Sequence, residues 1–269
     1  MVRRWPMSAT LGALALSVAV LAGCGLKTAS SAPATLTYTE NANAAYREAM
    51  AAYDSKDWED ARALFAEVKQ RFAPTRYARL AELRIADTDF EQGKYNEAIA
   101  EYRTYVKAHR GDPNVEYASY RVGKALYLDI SDTILLPPQE ERDQADTLDA
   151  HRALRGFKEE YPRSRYRIDV EYMLEVVTQR LVRHELYVAR YYLRENNFEA
   201  VVARVDHALD KYPGSGLDAE ALVLKGETLM KMHKPKEARQ VLESVVRDHG
   251  GPFGLVAKRF LAVLDEPPS

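Results

Sequence analysis

The side chains that do chemistry in enzymes are few in this chain, and they do not fall into a catalytic spacing. Six histidines are scattered at positions 109, 151, 184, 207, 233 and 249, and none has the spacing of a metal-binding pair. The dipeptide His184-Glu185 lacks the second histidine that a zinc-protease helix requires. A phosphate-binding glycine loop and a Gly-x-Ser-x-Gly nucleophile elbow are also absent from the sequence. We therefore expect a protein that is not an enzyme, with no catalytic residue, metal or cofactor.

The single cysteine lies in a sequence pattern that is typical of covalent modification at the thiol. Cys24 ends the string Leu21-Ala22-Gly23-Cys24, after an apolar run over residues 7–22 that follows two arginines. The run is too short for a stable membrane span and is typical of an export signal. Its end resembles a bacterial lipobox, in which the thiol takes a diacylglycerol and the new amine is acylated. An ordinary secreted protein with one leftover cysteine is the alternative.

This resemblance predicts how the N-terminus is organised. Residues 1–23 are expected to be a signal peptide, and Cys24 is expected to carry the lipid. Residues 24–41 are rich in Ser, Ala and Thr without helical periodicity, and this composition favours a flexible tether. Several acyl chains anchor a protein stably to a membrane. Because residue 25 is Gly rather than Asp, we expect the anchor in the outer membrane, on its periplasmic face.

The overall composition is that of a folded, water-soluble helical protein. Apolar residues make up 46% and charged residues 29% of the 269 positions, and the mean hydropathy is −0.41. The net charge of −2 gives no cationic surplus, so we expect no nucleic-acid partner. Only 13 glycines and 12 prolines occur, which favours long helices over a turn-rich β-sandwich or barrel.

Internal repeats follow the tether. In most copies a turn precedes a large residue, a small residue comes three positions later, and a large apolar residue comes four positions further. Aligned on the small residue, the copies fall at Ala61, Ala98, Ala150, Val201 and Ala238. This pattern resembles the tetratricopeptide repeat, in which the small residue lets two helices approach closely. We expect an all-α fold, a right-handed solenoid of about five such helical hairpins; an unrelated helical bundle is the alternative.

Helical periodicity sets the expected boundaries of the folded body at residues 42–264, with Asn41 as a candidate N-cap. The predicted helices are 42–54, 57–72, 76–92, 95–109, 114–129, 145–160, 166–195, 197–211, 217–232, 235–249 and 252–264. They group into repeats near 42–73, 76–110, 114–162, 166–213 and 217–250, followed by a capping helix and a tail at 265–269. The 166–195 stretch lacks Gly and Pro, and it is one long helix or two with a slight kink.

The third repeat contains an insertion at about 131–144. Pro137-Pro138 excludes an α-helix there, and Arg142-Asp143 closes the segment. Ile134, Leu135 and Leu136 form an apolar cluster within it. These side chains either fold back onto the solenoid or form a partner-binding loop, and the sequence leaves both possibilities open.

The chain resembles the BamD family, lipoproteins of the outer-membrane β-barrel assembly machinery. The likeness covers nearly the whole mature chain and rests on the lipobox, the five repeats, the insertion and several local strings. These strings are Asp112-Pro113-Asn114-Val115-Glu116-Tyr117, Arg142-Asp143, His184-Glu185-Leu186-Tyr187-Val188-Ala189-Arg190-Tyr191-Tyr192, Ala200-Val201-Val202-Ala203-Arg204 and Tyr212-Pro213. The resemblance implies a lipid-anchored scaffold whose partners are a β-barrel insertase with POTRA domains, other assembly lipoproteins and unfolded outer-membrane proteins.

The resemblance also implies candidate contact residues. The C-terminal repeats would bind the insertase, with candidates Arg204, Arg194, Tyr191 and Tyr192. The N-terminal repeats would bind unfolded substrates, with candidates Tyr46, Tyr53, Tyr77 and Arg84. The alternative for each tyrosine is packing in the repeat core, and for each arginine a solvated face or a salt bridge within the array.

Two other classes of protein share some of these features. A repeat lipoprotein that acts as an adaptor for peptidoglycan enzymes or a pilus secretin would also have the lipobox and the repeats. It would lack the strings that begin at Asp112 and at His184. An enzyme with accessory repeats is the second class, but the repeats leave no room for a catalytic domain.

Overall fold

The computed structural model describes residues 34–130 and 136–266. The expected signal peptide, Cys24, Ile134, Leu135 and the last three residues of the tail lie outside this part of the chain. The helices are α1 (Ala34–Asp54), α2 (Trp58–Arg71), α3 (Arg76–Glu91), α4 (Tyr95–Ala108), α5 (Val115–Asp129), α6 (Ala145–Glu160), α7 (Arg167–Arg194), α8 (Phe198–Lys211), α9 (Asp218–Lys231), α10 (Pro235–Asp248) and α11 (Gly251–Asp265). The described residues form no β-strand, and the expected all-α fold is confirmed.

Consecutive helices pack against each other as five hairpins, α1–α2, α3–α4, α5–α6, α7–α8 and α9–α10, and α11 covers the last of them. Odd-numbered helices also contact one another, α1 with α3, α5 with α7, and α9 with α11. Within the described residues the even-numbered helices make no comparable contacts with each other. We call the surface of the odd-numbered helices the inner face and that of the even-numbered helices the outer face.

The small and large residues that define the repeats form the hairpin cores. Ala61, Ala98, Ala150, Val201 and Ala238 are all completely buried. The large residues four positions later are buried with them: Phe65, Tyr102, Leu154, Val205 and Leu242. Because every copy places the same two positions inside its hairpin, the structure confirms the repeat alignment.

Four of the five hairpins close with the same left-handed turn. Lys56, Gly93, Asn196 and His233 occupy equivalent positions and have φ between 58° and 73°. In each turn the next backbone N–H donates to the carbonyl five residues earlier, as Lys94 does to Asp89 at 2.9 Å. This is the Schellman motif, which satisfies carbonyl groups left unpaired at a helix end. The turn sequence therefore ends one helix and sets the angle at which the next begins.

The N-terminal boundary was predicted wrongly. Helix α1 begins at Ala34 rather than near Ala42, so residues 34–41 are helical and not part of a tether, and Asn41 is not an N-cap. The cause is a tertiary contact. The Tyr38 ring lies 5.2 Å from the Phe72 ring, and its hydroxyl donates to the Arg71 carbonyl at 2.5 Å. These contacts with the end of α2 stabilise extra turns that the local sequence does not favour.

The remaining boundaries agree with prediction within one or two residues. The long stretch is one helix, α7, rather than two. Asp265, which was assigned to the tail, is the last residue of α11. Within the insertion, Gln139–Glu141 form a single 3-10 turn after the two prolines.

No helix in the described ranges combines the length and apolar character needed to cross a bilayer.

Candidate functional site

A buried carboxylate organises the inner face of the first three hairpins. Asp87 of α3 is completely buried. Its Oδ1 accepts hydrogen bonds from the hydroxyls of Tyr102 on α4 and Tyr117 on α5, the latter at 2.7 Å. Its Oδ2 accepts from Arg84 Nη1 at 2.6 Å. A buried charge is tolerated only when it is paired and hydrogen-bonded, and Asp87 meets both conditions.

Two arginines lie beside this carboxylate, Arg84 partly exposed and Arg121 mostly buried. Arg84 retains 32% side-chain exposure, and its Nε donates to the Tyr46 hydroxyl at 3.3 Å. Burial disfavours the charged guanidinium, but Asp87 and Tyr46 outweigh it, and the pKa of Arg84 is raised. Arg121 of α5 lies over the Phe90 ring at 3.6 Å and donates to Glu91 at 3.0 Å. Both guanidinium groups are therefore fixed and charged, but only that of Arg84 is well exposed at the inner face, because the Arg121 side chain is 13% exposed.

The substrate-contact candidates divide into two groups. Tyr46 and Arg84 are joined directly by their hydrogen bond, and both remain partly exposed. Tyr53 is half-buried on the same helix as Tyr46, and burial followed by the Asp87 charge raises its pKa to about 12. Tyr77 is only 7% exposed and packs in the first hairpin core, with its ring 5.8 Å from that of Tyr46. Tyr77 therefore packs beneath this surface and offers little of its ring to a partner.

Sequence reasoning missed the residues that hold this surface together. Asp87, Tyr102, Tyr117 and Arg121 come from three helices and meet only in the folded protein. One signal was available in the sequence. Asp87 lies one helical turn from both Leu83 and Phe90, on an apolar face of α3, and a charged residue on such a face needs a partner.

Arg204, an insertase-contact candidate, takes part in a salt bridge within the array. Its Nη1 lies 3.2 Å from Oε2 of Glu185, a carboxylate on α7 that is 10% exposed. His207 Nε2 lies 3.7 Å from the other oxygen of the same carboxylate. Asp206, the neighbouring acid in the sequence, instead pairs with Lys225 at 2.5 Å. Arg204 keeps 42% side-chain exposure, so it links α7 to α8 and still reaches solvent.

The other insertase-contact candidates lie at the end of α7. Tyr191 is 49% exposed, and the Arg194 guanidinium lies 5.9 Å from its ring centroid. Tyr192 makes an edge contact with Tyr191 at 5.7 Å and packs against the core of the fourth hairpin. Tyr191 and Arg194 thus form an exposed aromatic and cationic pair, and Tyr192 supports it.

The insertion rests on the middle of α7. The Glu140 carbonyl lies 2.8 Å from His184 Nδ1, which ties the 3-10 turn to that helix. Arg142 donates to the Pro137 carbonyl at 2.7 Å, and the Asp143 carboxylate accepts from the Ala145 N–H at 2.8 Å, just before α6. Leu136 is 43% exposed. Arg142 and Asp143 therefore shape the insertion itself, and its described part is held on the array.

A family model described as YfiO, outer membrane lipoprotein, matches residues 39–244. Curated relatives named outer membrane protein assembly factor BamD match as well. The one from Neisseria gonorrhoeae is 25% identical over 230 residues, which cover 83% of this chain and 86% of the relative. The one from Rickettsia prowazekii is 26% identical over 234 residues, which cover 86% of this chain and 87% of the relative.

Among solved structures, the TPR2AB domain of yeast Sti1 in its pHSP90 complex matches over 85% of this chain and 100% of the Sti1 chain, at 10% identity and a TM-score of 0.39. The family model spans ten helices, from within α1 to within α10, which carry both candidate surfaces and the insertion. The chain therefore belongs to the YfiO, or BamD, family of outer membrane lipoproteins.

Proposed function

We propose that this protein is a lipid-anchored scaffold for the assembly of outer-membrane β-barrel proteins. The observation that carries the proposal is the extent of the family match, which takes in nearly the whole helical array rather than one motif. The relatives that match over the same length are named outer membrane protein assembly factors. The proposal gives the chain no catalytic step, and its work is to bring partners together.

The inner face of the N-terminal hairpins is the proposed site for unfolded substrates. An unfolded barrel strand offers free backbone carbonyls and alternating apolar side chains. Arg84, which is partly exposed, can donate hydrogen bonds to carbonyl oxygens, and Tyr46 and Tyr53 offer half-buried rings to apolar side chains. Because the Arg84 guanidinium is already ordered by Asp87, little entropy is lost when a substrate binds.

The C-terminal hairpins are the proposed site for the barrel insertase. Aromatic residues and arginines are enriched among residues that dominate protein interfaces, and Tyr191 with Arg194 presents both types on the surface of α7. Arg204 adds a partly exposed cation on the neighbouring helix α8. Separate surfaces for substrate and insertase would let one chain hold both partners at the same time.

The proposed lipid on Cys24 would keep the array at the periplasmic face of the outer membrane, near other assembly lipoproteins. Tethering raises the effective concentration of partners confined to the same surface. Incorporation of radiolabelled palmitate into the protein in growing cells tests this step. We expect labelling of the natural chain and none of Cys24→Ser.

Substrate binding can be tested with an unfolded barrel protein and the full-length scaffold in detergent. We expect Arg84→Glu combined with Tyr46→Ala to weaken binding about tenfold, and Lys258→Glu on α11 to leave it unchanged. Equal binding by all three proteins would contradict the substrate site.

Insertase binding can be tested by crosslinking in living cells followed by detergent pull-down. We expect a large barrel protein with periplasmic repeat domains to co-purify, and to be lost with Tyr191→Ala combined with Arg194→Glu. Arg204→Ala should reduce recovery of this barrel protein less, because Arg204 already pairs with Glu185. Recovery of peptidoglycan enzymes or a secretin without such a barrel protein would favour the adaptor class instead.

A further inference from the structure

The outer face carries a groove that the proposed substrate and insertase surfaces do not use. It lies between α4 and α6, with α5 as its floor, and has a volume of about 650 Å³. We propose that this groove binds an acidic segment of a partner polypeptide and that one apolar side chain of the segment enters the groove beside Gly156. The inference does not depend on where unfolded substrates bind, because the inner face lies on the opposite side of the hairpins.

The floor and the rim of the groove differ in character. Val115, Val122 and Phe157 are buried beneath it, and Val106 and Tyr161 are half-buried at its sides. The rim contains Arg103, Lys107, Arg110 and Arg152, and Glu160 is the one acidic side chain of the lining. An apolar floor within a cationic rim suits an apolar side chain flanked by carboxylates.

Three of these cations have no internal partner. Among the described residues, Arg103, Lys107 and Arg110 make no side-chain hydrogen bond or ion pair, whereas Arg152 pairs with Asp149. Arg103 and Lys107 are one helical turn apart on α4, so their side chains point the same way. Elsewhere on this chain arginines are often engaged by acids, as Arg62, Arg79 and Arg190 are. The groove therefore concentrates positive charge that the protein itself leaves unneutralised.

Gly156 is an independent indication that something enters the groove. Glycine within a helix costs about 0.5–1 kcal/mol relative to alanine, so it usually has a packing reason. Gly123 has one, since a Cβ there would lie 2.8 Å from Leu154 Cδ2, and Gly226 would meet Leu242 at 2.5 Å. A Cβ on Gly156 would meet nothing within 4 Å. Internal packing therefore does not require a glycine at this position. A partner segment that packs closely against α6 would require one.

The shape favours a polypeptide over a membrane surface. Anionic lipid headgroups need a cluster of exposed cations and no apolar floor between them. Here the cations flank a concave site between two helices, with buried Val122 and Phe157 beneath it. Helix-pair grooves of this kind accept side chains of a bound segment as anchors.

Fluorescence anisotropy with full-length protein in detergent can test the proposal. The probe is a labelled glutamate-rich peptide with one central phenylalanine, and its controls replace the phenylalanine with alanine or the glutamates with lysines. The test variants are Arg103→Glu combined with Lys107→Glu, and Gly156→Trp, which fills the groove without changing charge. The matched control is Lys258→Glu combined with Arg259→Glu on exposed α11 positions.

We expect the acidic probe to bind the natural chain, and both control peptides to bind at least tenfold more weakly. The variant with Arg103→Glu and Lys107→Glu, and the Gly156→Trp variant, should each weaken binding about tenfold. The α11 control should bind the probe as tightly as the natural chain does. The melting temperature of Gly156→Trp should not fall, because the variant replaces a helix glycine in open space, and this separates loss of binding from loss of folding. Failure of the acidic probe to bind, or equal binding by Gly156→Trp, would overturn the proposal. If phosphatidylglycerol vesicles bind the natural chain and Gly156→Trp but not the variant with Arg103→Glu and Lys107→Glu, the cations bind a lipid surface and the proposal is overturned.

Discussion

At the scale of single residues, Asp87 is the side chain on which most contacts of the candidate substrate surface depend. It joins α3, α4 and α5 through two tyrosine hydroxyls and holds Arg84 in place. Burial and the Asp87 charge raise the pKa of both Tyr102 and Tyr117, so the two hydroxyls stay protonated and keep donating. The partners of Asp87 lie 15 and 30 residues away along the chain, which is why the sequence did not reveal them.

Replacement of Asp87 should be costly. Asp87→Ala removes the acceptor of two hydroxyls and leaves Arg84 and Arg121 without their shared counter-ion, and we expect a loss of about 3 kcal/mol in the free energy of unfolding. Glu97→Gln, at an exposed site on α4, should change it by less than about 0.5 kcal/mol. Urea denaturation measures both, and similar stabilities for the two variants would show that the network is not structural.

Glu101 should make stability depend on pH. Burial and the neighbouring Asp89 carboxylate raise the pKa of Glu101 from 4.5 to about 7, although Arg62 lies 2.9 Å away. The folded protein then holds a proton that the unfolded chain releases near pH 4.5. The stabilising contribution is therefore complete below about pH 4.5 and is lost as the pH rises to 7.

Glu101→Gln keeps the neutral form at every pH. We expect this variant to be more stable than the natural chain by roughly 1 kcal/mol at pH 8, and to differ little from it at pH 4.5. Thermal unfolding at the two pH values measures the difference. A variant that is less stable at pH 8 would mean that the ion pair with Arg62 outweighs burial.

At the scale of elements, the hairpin is the unit that the sequence predicts well. The small and large core positions of each repeat lie four residues apart within one helix, and helical periodicity around them gave ten of the eleven described helices to within one or two residues. The start of α1 was missed because the Tyr38 contact with Phe72 joins residues far apart in sequence. Tyr46 and Arg84 were both identified as candidates, but their hydrogen bond, across 38 positions, was not.

The left-handed turns give a prediction at this scale. L-residues pay about 1–2 kcal/mol in that conformation, whereas glycine does not. We expect Lys56→Gly and His233→Gly to stabilise the protein by about 0.5–1 kcal/mol, and Gly93→Ala to destabilise it by about 1 kcal/mol. Asn196→Gly should change the stability less than the Lys56 and His233 replacements do, since asparagine tolerates the left-handed conformation better than those residues. Thermal unfolding measures all four, and a neutral Gly93→Ala would contradict the role given to the turn.

At the scale of the whole molecule, the candidate binding surfaces lie on separate parts of the array. The inner face of the first three hairpins carries fixed arginines and half-buried tyrosines, and the end of α7 carries Tyr191 and Arg194. The outer face carries the cationic groove beside Gly156. Each repeat contacts mainly its neighbours in such an array, so the surfaces can change independently without loss of the fold. This separation is what a scaffold with several partners needs.

The central claim is that unfolded barrel substrates bind the inner face, and site-specific photo-crosslinking in living cells tests it most directly. A photoreactive phenylalanine would replace Tyr53 on α1 of the inner face or, as the control, the exposed Glu59 on α2 of the outer face. The account predicts crosslinks from position 53 to newly made barrel proteins before they fold, and none from position 59. Equal capture from both positions, or capture from position 59 alone, would contradict it.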